Sequence, residues 1–238
     1  MDDARTLSGN ALAEALRDSR AVLLSRVLDL DDAQWRVPQP DGLNPIAWEL
    51  GHLPWFAEFW ILRGPHRIEG DGFVHAAQAA RLAGPDEIFD SARLPHAQRW
   101  QIERPSREQL LQRLADQLEA CVAAVPPLSA GDEAAYFHRL ALFHEDMHAE
   151  AFAWLRDTLG HAAPQGCALP RLTAAGELAI AGGEVAIGWP SQRRGFAFDN
   201  EQAQHLQQLR DFSIGAAPLA AGEFARFVGA GGYGEPAC

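Results

Sequence analysis

Apolar positions recur with a helical period over four stretches of the chain. Between Leu7 and Leu28, the residues Leu12, Leu16, Val22, Leu23 and Val27 are apolar, with charges between them, which predicts a first amphipathic helix. Pro38 and Pro40 interrupt the chain after it. Asn44-Pro45 then offers an N-cap and a proline at the first helical position. A second helix is expected from there to about Leu62, where Gly64-Pro65 stops it. It is rich in aromatics (Trp48, Trp55, Phe56, Phe59, Trp60) and contains Pro54, so a kink is expected, with the Leu50 carbonyl losing its usual partner. Ser106 and Gln109 make a capping box for a third helix. Its stripe is Leu110, Leu111, Leu114, Leu118, Cys121, Val122 and Val125, and Pro126-Pro127 ends it. Asp132 is placed to cap a fourth helix that ends near Leu159-Gly160. There Phe137, Leu140, Ala141, His144, Met147, His148, Ala151, Phe152 and Leu155 share one face. Four such helices, with a long aperiodic connection over 64–105, predict a mainly α four-helix bundle.

After Gly160 the pattern changes. Leu178 and Ile180, then Gly182-Gly183, then Val185 and Ile187 predict a β-hairpin with a two-residue turn. Residues 1–163 therefore read as one domain, Pro164–Pro170 as a linker, and 171–238 as a second, β-containing domain.

Composition narrows the function classes. The 238 residues are 47% hydrophobic and 22% charged, as in an ordinary globular protein. A net charge of −12 argues against nucleic acid or an anionic membrane as the main partner. No apolar run is long enough to span a bilayer, and the acidic, polar N-terminus does not read as a signal peptide. Cys121, Cys167 and Cys238 are an odd set, far apart, which fits reduced thiols in a cytoplasm. Cys121 lies on the third helix's apolar stripe and is expected as a packed core thiol.

The candidate chemistry lies in histidines. His144 and His148 are i, i+4 on one helix face, where two imidazoles can share one metal ion. Two hydrogen-bonded core histidines would read the same way. His52, on the face of the second helix that carries Trp48, Phe56 and Phe59, is the third candidate. Three neutral imidazoles leave open positions on an ion, the mark of a catalytic site, and as residue types they allow zinc, iron, nickel or copper. Glu150 lies two residues beyond His148, about 200° round the helix, so it is expected to serve an Arg or a backbone group instead. Met147 is expected in the core.

Several stretches resemble a known family. NPIAWELGHLPWFAEFWILRG, FDSARLPHAQRW and FHEDMHAEAFAWLRDTLG resemble the N-terminal DinB-like domain of the ergothioneine and selenoneine synthases, non-haem iron enzymes that act on hercynine, the trimethylated form of histidine. FAFDNEQAQH, DFSIGAAPLAAGEFARFV and GGY resemble the start of the formylglycine-generating-enzyme-like domain that comes next in that family, a C-type-lectin-like α+β fold. The resemblance runs from about Asp31 to Tyr233, and both signatures occur in the family's order.

The resemblance implies Fe(II) on His52, His144 and His148. It also implies O2 as co-substrate and an oxidoreductase that joins a chalcogen donor to the imidazole of hercynine. The wording of the motifs looks most like the selenoneine branch, whose donor is a selenosugar; the alternative is the ergothioneine type, which forms a C–S bond from cysteine or γ-glutamylcysteine. Arg93 and Arg99 are candidates for binding polar donor groups, against a plain salt-bridge role. The family's second domain is longer, with its catalytic tyrosine region beyond Cys238, so the chain is expected to be truncated and inactive alone. Pro218-Leu219-Ala220-Ala221 replaces a stretch that carries Thr and Asn in the family, and Asp199-Asn200-Glu201 is read as structural. A rival within DinB-like proteins is a metal-dependent thiol transferase or hydrolase using zinc or nickel.

Overall fold

The computed structural model describes residues 4–39, 42–82, 84–103, 105–164 and 176–235. The expected linker falls largely outside these, as do Cys167 and Cys238. The chain divides into two compact units: Met1–Gly166 with Arg194–Phe198, and Cys167–Arg193 with Asp199–Cys238.

In the first unit, α1 (Gly9–Ser25) packs on α4 (Arg107–Ala123) and α5 (Tyr136–Thr158), and α2 (Ile46–Ala57) packs on the same two helices. Their shared core holds Leu23, Leu50, Leu53, Leu110, Leu114, Phe152 and Leu155, among others. Each such side chain taken from water contributes roughly 1.5–3 kcal/mol. The Ser106–Gln109 capping box forms as expected. Cys121 is a buried thiol, and burial pushes it up to about 12.

Helix α2 is apolar on all sides because it lies between two cores. Ile46, Leu50 and Leu53 face the helices, while Trp48 and Trp55 face a second cluster with Phe59, Phe89 and Leu94. That second cluster sits under the 64–105 segment, which has structure of its own. It forms the hairpin β1–β2 (His66–Ile68, Val74–Ala76), the short helix α3 (Asp86–Phe89) and a 3₁₀ helix at His96–Trp100. Gly51 is what lets α3 approach. A Cβ there would stand 2.1 Å from the Phe89 ring. Helix α2 continues through Pro54 and widens into a π-helix over Glu58–Leu62.

Four local expectations are corrected. Pro45, not Asn44, is the N-cap of α2, and the Asn44 amide donates instead to Glu49. Asp132 does not cap α5, whose N-cap is Ala135; its carboxylate accepts from Arg139 and from the Gly195 N–H. Val22 and Met147 are exposed, at 46% and 49%. On both helices the buried face is rotated toward charged residues. Arg20 on α1 pairs with Glu145 on α5, Arg139 pairs with Asp132, and Arg156 with Asp29. A paired, hydrogen-bonded ion can occupy the interior that an apolar residue would otherwise take.

The second unit carries β3 (Glu177–Ile180), β4 (Gly183–Ile187), β5 (His205–Leu209), β6 (Phe212–Gly215) and α6 (Ala221–Gly229). The expected β3–β4 hairpin does not form. Strand β3 pairs with β6 and β4 with β5, both antiparallel. The register is continuous: Ile180 opposes Phe212, and Gly183 opposes Leu209. Gly182-Gly183 is therefore a break within one arm of a long ribbon and not a turn. A Cβ on Gly182 would meet the Leu209 carbonyl and the Arg210 backbone at 2.6 Å, and its N–H donates to Asp211. Asp199–Glu201 forms a 3₁₀ turn. No helix among the described residues is long and apolar enough to cross a membrane.

Candidate metal centre

His52 comes from the middle of α2, and His144 and His148 from α5. The fold brings together all three. Their ring centroids lie 5.0 Å (52–144), 5.3 Å (52–148) and 4.6 Å (144–148) apart, and one ring nitrogen from each falls within 4.8 Å of the other two. Two nitrogens bound about 2.1 Å from one ion are on the order of 3–3.5 Å apart. The Nε2 atoms of His52 and His144, at 3.2 Å, have that spacing.

The hydrogen bonds at the far side of the rings decide which nitrogen faces inward. His52 Nδ1 donates to the Phe89 carbonyl at 2.7 Å, which leaves Nε2 as a bare lone pair. His148 Nδ1 donates to Oε2 of Glu49 at 3.0 Å, so its Nε2 is the ring nitrogen left free to face inward. His144 is held by ring stacking on Phe56, with centroids 3.7 Å apart. Trp48 stacks on His52 at 4.9 Å and nearly parallel.

The surroundings keep two of the imidazoles, those of His52 and His144, neutral. His52 is lowered to about 3, first by burial, then by the proximity of His148, with the Phe89 carbonyl acting against both. His144 is lowered well below the usual histidine value by burial, then by His52 and His148. A cation requires its histidine ligands in the neutral form, and the three ring nitrogens converge, so this group could hold a metal ion. Cys121 is not part of it.

The other singled-out residues take separate places. Glu150 is exposed and has no ion pair or side-chain hydrogen bond among the described residues. Arg99 lies over the Trp48 ring, 3.9 Å from its centroid, and donates to Asn44. Burial lowers its pKa, with the Glu49 carboxylate acting against this. Arg93 pairs with Asp90, reaches His75 and covers Phe73. His66 and His96 donate to the carbonyls of Phe59 and Leu43.

Two contributors are absent from the pattern-based reading. The Phe89 carbonyl is backbone and leaves no mark in a sequence. Glu49 does leave one, as the only acidic residue among the apolar residues of α2 before His52.

A family model described as the DinB superfamily matches residues 15–163. Over 93% of its length the chain is 29% identical to a hercynine oxygenase of Mycolicibacterium thermoresistibile, covering 49% of that protein. It is 25% identical to a hercynine oxygenase of Mycolicibacterium smegmatis and 26% identical to one of Mycobacterium tuberculosis, covering 52% of each. The chain thus spans about half the length of the curated relatives it matches. With the model match covering well over half of its residues, the chain belongs to the DinB superfamily.

Proposed function

We propose that the chain holds Fe(II) on His52, His144 and His148 and acts on hercynine as an O2-dependent oxidoreductase. The observation that carries this reading is the convergence of three imidazoles from two helices, with one ring nitrogen from each within 4.8 Å of the others. The name of the relatives, hercynine oxygenase, supplies the substrate and the reaction class. When bound, iron supplies redox chemistry toward O2 and a template for the donor beside hercynine.

The chain's own residues supply the rest. Trp48 and Phe56 cover two of the rings and exclude water from that side. Arg99 lies over the Trp48 ring that stacks on His52, which makes it a better candidate than Arg93 for a polar group on the donor. In this reading 1–163 is a DinB-like four-helix bundle, 164–170 a linker, and 171–238 formylglycine-generating-enzyme-like. The donor is a selenosugar, with cysteine or γ-glutamylcysteine as the alternative.

Calorimetric titration of hercynine into the protein, with and without anaerobically loaded Fe(II), tests it. Iron-dependent binding that His148→Ala removes is the expected outcome. Tight zinc with no affinity for hercynine would overturn it. Competition between a selenosugar, cysteine and γ-glutamylcysteine then separates the donors.

A further inference from the structure

The geometry points to Glu49 as the positioning residue that sets the tautomer of His148 and so turns Nε2 of that ring toward the metal. This rests on the metal reading above. Glu49 is 3% exposed, on a helix otherwise apolar around it. A carboxylate is costly to bury there unless each oxygen finds a donor. Both do: Oε1 accepts from the Asn44 amide at 3.0 Å, and Oε2 from His148 Nδ1 at 3.0 Å. With both oxygens accepting, the carboxylate holds the His148 proton on Nδ1. Histidine ligands are commonly oriented in this way through their second nitrogen.

Glu49 is itself held. Arg99 Nη1 donates to Asn44 Oδ1 at 2.7 Å, and an arginine can only donate. The Asn44 oxygen is therefore committed to Arg99 and its amide nitrogen to Glu49. Arg99 lies on Trp48, and Trp48 stacks on His52. A continuous chain of contacts thus joins His148, Glu49, Asn44, Arg99, Trp48 and His52. Two of the three rings are locked at Nδ1, one by a charged acceptor and one by a neutral carbonyl.

The fixed direction of Asn44 makes the isosteric change the informative one. In Glu49→Gln the side-chain oxygen stays opposite the Asn44 amide, so the new NH2 faces His148 Nδ1. That nitrogen must then accept, which moves the ring proton to Nε2 and blocks the atom aimed at the ion. A merely structural carboxylate would tolerate this substitution, since volume and one hydrogen bond are kept.

The experiment is anaerobic Co(II) titration, read by its visible absorption, on the wild type and on Glu49→Gln, Glu49→Ala and His148→Ala. Histidine 15N spectra of the metal-free proteins accompany it. The wild type is expected to show His148 as the Nδ1–H tautomer. Glu49→Gln is expected to show Nε2–H, and to bind Co(II) at least tenfold more weakly, within the roughly 10–100-fold range of lost second-layer partners. Glu49→Ala is expected to lose affinity and show mixed tautomers. An Nε2–H tautomer in the wild type overturns the inference without any variant. So does Co(II) affinity within twofold of wild type in Glu49→Gln, if His148→Ala abolishes binding. Unchanged binding in His148→Ala removes the metal reading itself, and this inference with it.

Discussion

Nε2 of His52 stands 3.2 Å from Nε2 of His144, although the two residues are 92 positions apart in the chain. With the His52 proton committed to the Phe89 carbonyl, the His52 nitrogen presents only a lone pair. His144 Nε2 can donate to it in the metal-free chain, and a cation bound between the rings would take the place of that proton. At a hundredfold excess of metal over Kd, binding to the folded state alone adds about 2.7 kcal/mol. For a chain of this size that raises Tm by roughly 5–10 °C. Thermal melts with and without added Fe(II) or Zn(II) should show the rise, and His52→Ala should remove it.

Gly51→Ala should weaken the fold and the site together. The new methyl would stand 2.1 Å from the Phe89 ring, which is 1% exposed and has little room to yield. Overpacking of this kind costs about 1–3 kcal/mol. Displacing Phe89 also moves the carbonyl that fixes His52. Denaturant unfolding measures the first effect. The 15N spectrum of His52 measures the second, and a retained Nδ1–H signal with unchanged stability would contradict both.

Glu145→Ala should cost about 3–5 kcal/mol, because it strands a buried guanidinium. Arg20 is 4% exposed and Glu145 5%. Arg20 also donates to Gln117 at 3.1 Å and to the Leu114 carbonyl, bonds that cannot neutralise its charge. A urea midpoint close to wild type would show that the pair is dispensable.

Stability should fall in acid partly through Asp86. Burial raises its pKa, but hydrogen bonds from Arg63 and Trp55 and the Arg63 charge outweigh that and hold it below the usual carboxylate value. The unfolded chain, with its Asp near 3.9, then binds a proton before the folded one does. The contribution is present above about pH 4–5 and is lost as pH falls through the folded value. Against Asp86→Asn, the wild type should be more stable at neutral pH, with the gap closing below about pH 4. A gap that widens in acid would reverse the sign.

Sequence periodicity located the helices well, because each has a local signature. The Ser106–Gln109 box and the apolar stripe of α4 depend on residues within a few turns. Periodicity placed the buried face of α5 less well. Met147, on the apolar stripe, is exposed, while Arg139, Glu145 and Arg156 are buried. An apolar pattern scores charged residues as outward, and only a partner elsewhere reverses that. Glu145 finds Arg20 across 125 positions, and Arg156 finds Asp29 across 127. Gly182-Gly183 failed as a turn signal for a similar reason. Glycine marks a tight bend and a close backbone approach alike, and the pairing of β3 with β6 selects the second.

The candidate site divides along the same line. The sequence by itself determined the ligand types, the spacing of His144 and His148 on one helix face, and the inward face of His52. Tertiary structure alone decided which nitrogen the rings of His52 and His148 turn inward. That choice is made by the Phe89 carbonyl, 37 positions from His52, and by Glu49, 99 positions from His148. Hydrogen bonds of this kind act over about three ångströms in space, and only the folded chain sets that distance.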